Sequence, residues 1–435
     1  MLTLFYTVSF MDRSILSILA EPIKVDLHLS DLQLGLLGGL AFALLYSVFG
    51  LPIARLAERF NRVTIMSSAL ALWSMLTVAS GYATSFIQLF LARAGVGIGE
   101  AACTPCSHSL IADYFPPAQR ASAIGIYAFG SPAGSLLGIL VGAWVADRAG
   151  WQMAFVVAGV PGLALALLAQ LTLREPVRGQ YDRATSEVPP LSSVVKYLFR
   201  RRSFIHVLIG TSLSTLVSAA INAFLPPFLL RGPFELQLTG AGILTALLIG
   251  VSSMVGVLSG GLLADRLARK DVTLYVKLPA LCFLLSGPLY CIAFLQSDLG
   301  SFVVMSATAQ ILSVIYIGPS FGVVHNMTGP RMRASAVAIM FLVLSIFGLG
   351  LGPVLAGMLS DAIGAASFTG AGAWTDCQGL LRDSDATLVS ACDEASFYGL
   401  RAALSGMALI WIAAGVHYVW AARSLRADIA RTGQY

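Results

Sequence analysis

The sequence predicts an all-α integral membrane protein, with twelve transmembrane helices in two pseudo-symmetric six-helix bundles of three plus three helices each. Three observations predict it. Of 435 residues, 57% are hydrophobic and 11% charged, whereas a soluble domain is about one quarter charged; mean hydropathy is +0.81. Twelve apolar runs approach or exceed the ~20 residues that cross a bilayer core. The two halves of the chain also repeat each other's motifs at a near-constant spacing.

The first run, 2–20, is LTLFYTVSFMDRSILSILA. It lacks a basic n-region and contains Asp12-Arg13, so it reads as a first span rather than a cleaved signal. The chain begins abruptly there, which leaves room for a native N-terminal extension. Further spans follow at 33–54, 64–81, 86–112, 121–146 and 153–171. Residues 176–202, PVRGQYDRATSEVPPLSSVVKYLFRRR, are polar, then prolyl, then amphipathic and basic, and read as a linker along the cytoplasmic face. Six more spans lie at 204–230, 240–264, 274–296, 301–325, 334–360 and 398–422. The domains are thus a first bundle at 1–175, the linker at 176–202, and a second bundle at 203–435 with an external loop at 361–397.

Basic residues orient the chain. With the N-terminus inside, twenty Lys or Arg fall in cytoplasmic segments and five outside; Arg13 and Arg93 lie within spans. Both termini are therefore expected in the cytoplasm, at a bacterial inner membrane. The net charge of +5 reflects this bias and not a nucleic-acid partner.

The repeats are specific. RASA occurs at 120–123 and 333–336, each copy opening a glycine-rich span. ARLAERFNR at 54–62 is matched by GLLADRLAR at 261–269. Such duplication marks transporters that rock about a midplane site.

These residues resemble a known superfamily. GLLADRLARK (261–270) resembles the loop motif between the second and third helices of each half in the major facilitator superfamily. The first-half copy departs from it, with Ala54, Glu58 and Asn61 standing for glycine, aspartate and glycine. GSPAGSLLGILVG (130–142) resembles the glycine-rich motif of the fifth helix, and LARAGVGIGEA the arginine motif of the fourth. Within the superfamily, FMDRSIL, LPIARLAERFNR, RAGVGIGEA and SLIADYFPPAQRASAIGIY are similar to the Spinster-like transporters. That resemblance implies the major facilitator fold and proton-driven movement of lysophospholipids or sphingosine-1-phosphate. Organic-anion symporters of the superfamily also carry an Asp-Arg on the first helix and an Arg with a nearby Glu on the fourth. A small organic anion therefore stands as the alternative substrate.

Of 22 acidic residues, twenty lie in or beside predicted loops; the exceptions are Asp12 and Glu100, both near the midplane. Arg93 lies seven residues before Glu100, about 10 Å along the same helix face. Burial favours a neutral carboxyl, and a neighbouring guanidinium favours the ion. Asp12, Glu100 and Arg93 can thus form a two-state device for proton coupling. Protonation would free Arg93 to grip an anionic group, phosphate above all, bidentately. A structural salt bridge is the plainer reading of the same residues. Arg13, one position round from Asp12, is expected to face elsewhere, toward a structural partner or the cavity edge.

The second half has no ionisable residue near the midplane, and Asn222 is its main deep polar candidate for substrate binding. His108, His206, His325 and His417 lie near cytoplasmic ends and read as capping or interfacial groups. Charge in one half and apolar surface in the other suits an amphiphilic anion better than a sugar. Glu58, Arg59 and Arg62, with Asp265, Arg266, Arg269 and Lys270, read as a cytoplasmic gate of charge pairs at helix ends. Gly130, Gly134, Gly138 and Gly142 form a smooth packing face, with Pro132 adding a bend. Gly348, Gly350 and Gly352 with Pro353 are its expected partner. Cys377 and Cys392 in the external loop could form a disulfide.

Other classes are disfavoured. No lysine follows a glycine, so there is no phosphate loop of an ATP-driven pump. The serine of GTSL (210–213) has no placed base, so an enzyme is not expected. No metal site and no cofactor are expected. The expected partners are protons, the bilayer and a lipid-like anionic substrate, with a monomer as the working unit.

Overall fold

The computed structural model describes residues 1–116, 119, 123, 126–178, 190–268, 270–328, 332–370, 374, 377 and 386–431, apart from the side chains of Leu51, Glu58, Asp265, Arg333 and Ala334. Among the described residues there is no strand, and eleven helices are long and apolar enough to cross a membrane. The first four are α1 (Leu2–Leu27), α2 (Asp31–Ala57), α3 (Arg62–Ser80) and α4 (Phe86–Tyr114). The next, Ile126–Thr172, contains Gly150 at φ 84°, a conformation that favours glycine. It therefore supplies two crossings, α5 (126–149) and α6 (151–172). The others are α7 (Arg202–Arg231), α8 (Leu238–Ala268), α9 (Leu274–Phe294), α10 (Leu299–Met327), α11 (Ser335–Ser367) and α12 (Ala386–Ala430). Twelve crossings result, as the hydropathy of the sequence predicts.

Polar residues just before the apolar runs start several helices. Ser30, Asn61, Ser85 and Asp298 each accept a hydrogen bond from a backbone N–H in the first turn of α2, α3, α4 and α10. These caps satisfy donors that the helix itself leaves open. Between α6 and α7, Leu191–Phe199 forms the short amphipathic helix expected of the linker, with Val194 and Leu198 buried.

The internal repeat survives in backbone detail. π-Helical turns occur at Leu36–Leu40 in α2 and at Ala246–Val251 in α8, their starts 210 positions apart. The helical pattern relaxes at 101–102 in α4 and at 315–316 in α10, 214 positions apart.

Two compact units make up the chain. One comprises Met1–Thr185, Ala223–Ala246 and Phe368–Ser396; the other comprises Ser186–Asn222, Leu247–Ser367 and Phe397–Tyr435. In the first, the glycine face of α5 lies against α1. A Cβ on Gly130 would come within 2.6 Å of the Thr3 carbonyl oxygen, and one on Gly138 within 3.0 Å of Met11 Cα. In the second, Gly348 and Gly352 of α11 lie in the same way against Thr215 and Leu216 of α7. The expected pairing of the two glycine faces with each other is thus corrected: each serves the first helix of its own half. Close to Pro132, which has no N–H to donate, the helical hydrogen-bond pattern is interrupted at Phe129, whose backbone stays in the helical region.

The predicted loop 361–397 is also shorter than hydropathy suggested. α11 runs to Ser367, and α12 already begins at Ala386. Residues 386–397, ATLVSACDEASF, continue α12 as a polar extension beyond the length that spans a bilayer. Cys392, on this extension, is disulfide-bonded to Cys377.

Candidate functional site

α1 and α4 bring four charged side chains together in the first unit. Arg93 Nη1 donates to Asp12 Oδ1 at 3.0 Å, and Arg93 Nη2 to the Asp12 carbonyl at 3.4 Å. Arg13 Nε donates to Glu100 Oε2 at 2.6 Å. Ser9, one turn before Arg13 on α1, donates to the same oxygen at 2.7 Å. Asp12, Arg93 and Glu100 are buried to 2% exposure or less, while the Arg13 side chain keeps 23%. Charges in such an environment survive because they are paired and hydrogen-bonded.

The pairs leave open valences. Asp12 Oδ2, Arg93 Nε and Glu100 Oε1 are buried with no hydrogen-bond partner among the described residues. Two acceptors and one donor therefore remain for a proton, a water or a substrate group.

Aromatic rings enclose the Arg13 cation, which is mostly buried. The Arg13 guanidinium lies 4.5 Å from the ring centre of Phe42, 4.7 Å from Tyr46 and 5.1 Å from Phe10. Phe42 and Tyr46 come from α2, one turn apart. Tyr6 stacks on Tyr127 at 4.4 Å. The glycines of RAGVGIGEA have a separate, steric reason. A Cβ on Gly97 would meet the Phe42 carbonyl oxygen at 2.7 Å, and one on Gly99 would meet Trp73 Cβ at 2.8 Å. They let α4 close against α2 and α3, which carries Glu100 inward.

Sequence reading joined Asp12 and Arg93 but turned Arg13 away, and here the structure differs. Adjacent helical residues project about 100° apart, yet a long arginine on a neighbouring face reaches a second partner on α4. The available signal was the i, i+4 pair Ser9/Arg13, whose common face matches Glu100.

The other predicted residues are more scattered. Asn222 is an exposed residue of the second unit without a hydrogen bond among the described residues. Of the proposed gate, the side chains of Glu58 and Asp265 and the whole of Arg269 lie outside the described residues. Arg59, Arg266 and Lys270 are exposed. Arg62 is buried: it binds Asp113 on α4 at 2.5 Å and Glu175, just past α6, at 2.6 Å. Its partners were not singled out from sequence.

Further polar groupings were not read from the sequence. At the other end of α1, Arg231 binds Glu21 and Asp31, each at 2.7 Å, and Lys24 also binds Asp31 at 2.7 Å. All lie in the first unit. In the second unit, Tyr290 donates to Gln310, which donates to Ser253, at 2.7 and 2.8 Å. The Nδ1 atoms of His206 and His417 approach to 3.1 Å. Among the described residues no group of three or more metal-ligating side chains is assembled.

Comparison with known proteins agrees with this architecture. The family model described as Major Facilitator Superfamily matches residues 2–353. An MFS-type efflux pump of Mycolicibacterium smegmatis is 33% identical over 83% of both chains. Human protein spinster homolog 1 is 28% identical over 82% of this chain and 71% of its own. A probable L-galactonate transporter of Escherichia coli is 27% identical over 83% of this chain and 82% of its own. The crystal structure of a bacterial homolog to the human lysosomal transporter Spinster, inward-facing and unoccupied, superposes with a TM-score of 0.88. It is 32% identical and covers 98% of this chain and 96% of that one.

Proposed function

The chain belongs to the major facilitator superfamily as a Spinster-like transporter, and on that premise we propose that it moves a lipid-like amphiphile by proton-coupled alternating access. The substrate is of lysophospholipid or sphingosine-1-phosphate type. One observation carries this reading: two buried arginine–carboxylate pairs lie side by side on α1 and α4, with three polar atoms left open. Protonation of Asp12 would cancel the charge that holds Arg93, and the freed guanidinium would take the substrate's phosphate through two parallel N–H donors. Protonation of Glu100 would in the same way release Arg13 into its aromatic surround, and loss of that proton would restore the pair. Deprotonation would restore both pairs and expel the anion, so proton and substrate occupancy are linked by competition for the same cations.

The likeness to Spinster homologues supports the lipid substrate, and so does the second unit. There, among the described residues, the buried charged side chains are Arg201 and Asp428, both beside helix ends. The basic loops support a bacterial inner membrane with both termini in the cytoplasm.

Uptake of labelled lysophospholipid into proteoliposomes, with and without an imposed pH gradient, tests this. Gradient-driven uptake that is lost in Asp12→Asn is expected. Folded protein that takes up no lipid would overturn it. It would favour the second reading, a proton-coupled symporter of a small organic anion, which the likeness to the probable L-galactonate transporter supports.

A further inference from the structure

α9 and α12 run antiparallel in the second unit. Asp271, just before α9, binds Arg426 near the end of α12 at 3.0 Å. Further along, a Cβ on Gly415 would meet the Ala280 carbonyl oxygen at 3.0 Å, and one on Gly287 the Ala408 carbonyl oxygen at 2.9 Å. Beside this seam lies a groove of about 390 Å³, lined by Lys277, Ala280, Leu281 and Leu284 of α9 and by Val419, Ala422 and Arg423 of α12.

The groove is graded along its length. α9 enters with Lys277 and continues through Ala280 and Leu281 to Leu284, about 10 Å further along its axis. α12 arrives with Val419 and Ala422 and ends on Arg423. The antiparallel register sets Lys277 level with Val419 and Arg423 about one turn further toward the Asp271 end, while Leu281 and Leu284 lie toward the other end. Leu281 and Leu284 are 56% and 36% exposed and Val419 41%, so the trough is open on the outer surface of the unit. Trp420 of α12, also 41% exposed, packs against His206 and His417 near the same end of the helix, as an aromatic at the headgroup level does.

At the mouth, Lys277 and Arg426 both pair with one carboxylate, Asp271, at 3.3 and 3.0 Å. Arg423 is exposed and forms no ion pair among the described residues. This corner therefore carries excess positive charge, above an apolar slot, on the side of the membrane that the basic loops mark as cytoplasmic.

We propose that the α9–α12 groove is a binding site for an anionic diacyl phospholipid of the cytoplasmic leaflet. Its headgroup phosphate is held by Lys277 and Arg423, and one acyl chain lies against Ala280, Leu281, Leu284, Val419 and Ala422. Each basic residue near an anionic surface contributes about 1 kcal/mol, so two make roughly a thirtyfold preference over a zwitterionic lipid. The site is separate from α1 and α4 and does not depend on what is transported.

The test is lipid binding to the delipidated full-length protein in detergent, read by native mass spectrometry with dioleoylphosphatidylglycerol and dioleoylphosphatidylcholine. Wild type is expected to prefer phosphatidylglycerol by tenfold or more. The Lys277→Gln, Arg423→Gln double variant is expected to bind the two lipids equally, and Lys277→Arg, Arg423→Lys to keep the preference. Ala422→Phe fills the trough with both cations intact, so it tests the slot even if the charge variant does not fold, and it is expected to lose phosphatidylglycerol. An unchanged preference in the glutamine double variant, or undiminished binding in Ala422→Phe, overturns the site.

Discussion

Arg13 lies 2.6 Å from Glu100 of α4, although its neighbour on α1, Asp12, is bound to Arg93, two turns away on α4. Each helix thus offers one acid and one base, and the two pairs neutralise each other across a single contact. Removing one member of a buried pair typically costs ~3–5 kcal/mol, because the other charge is left stranded. Arg13→Gln is expected to lower thermal stability by an amount in this range. Arg13→Gln with Glu100→Gln should recover part of that loss, a coupling of about 0.5–3 kcal/mol in a double-mutant cycle. Strict additivity in thermal melts would show that the pair is not formed in the membrane-embedded protein.

Arg93 holds Asp12 through two different nitrogens, one on the carboxylate and one on the main chain. A lysine keeps the charge but not the fork. Arg93→Lys is therefore expected to fold and, on the proposed function, to bind an anionic lysolipid at least about tenfold more weakly, ~1.4 kcal/mol. Equal affinity in a binding titration would take Arg93 out of the substrate site.

Much of the fold was legible because lipid imposes it. The twelve apolar runs follow from the need to hydrogen-bond every backbone polar group within the span, and the basic loops from the cytoplasmic bias of Lys and Arg. Asp12, Arg93 and Glu100 were legible because charge in an apolar run is costly. Arg13 was not, since helical periodicity places a Cα but not the tip of a long side chain. Asp113, Glu175 and Arg231 were hidden for another reason: they sit at helix ends, where a charge is commonplace. The start of α12 was misplaced because hydropathy marks where the bilayer ends, not where the helix does.

The glycine face of α5 makes a steric prediction. A methyl group at Gly138 has no room against the Met11 backbone, whereas nothing lies within 4 Å of a Cβ at Gly406. Gly138→Ala is expected to destabilise by ~1–3 kcal/mol through overpacking. Gly406→Ala should be neutral or up to ~1 kcal/mol stabilising through helix propensity. Equal melting temperatures for the two variants would argue against close contact of α1 and α5.

Arg62 and Arg59 separate two roles for the cytoplasmic arginines. Arg62 is buried between Asp113 and Glu175, while Arg59 is exposed. Arg62→Gln is expected to cost ~3–5 kcal/mol by stranding two carboxylates, and Arg59→Gln to stay within about 0.5 kcal/mol. Similar melting of both variants would reduce Arg62 to an anchor at the membrane surface.

Asp271 lies between α8 and α9, outside the spans, and gives a pH dependence with a definite sign. The Thr273 hydroxyl and N–H donate to it at 2.6 and 2.9 Å, and Arg426 at 3.0 Å. These hydrogen bonds, those of Thr273 first, hold its carboxyl below the usual carboxylate range. A carboxyl whose pKa is lower in the folded than in the unfolded chain adds stability that is complete above the unfolded value, about 3.9 for aspartate. That stability is lost as pH falls through the lowered folded value. Wild type should therefore melt higher than Asp271→Asn by a constant margin from pH 8 to pH 5, and the margin should narrow as the medium falls below pH 4. A margin that stays constant down to pH 3, or widens, would mean that Asp271 is not the charged acceptor that ties the start of α9 to the end of α12.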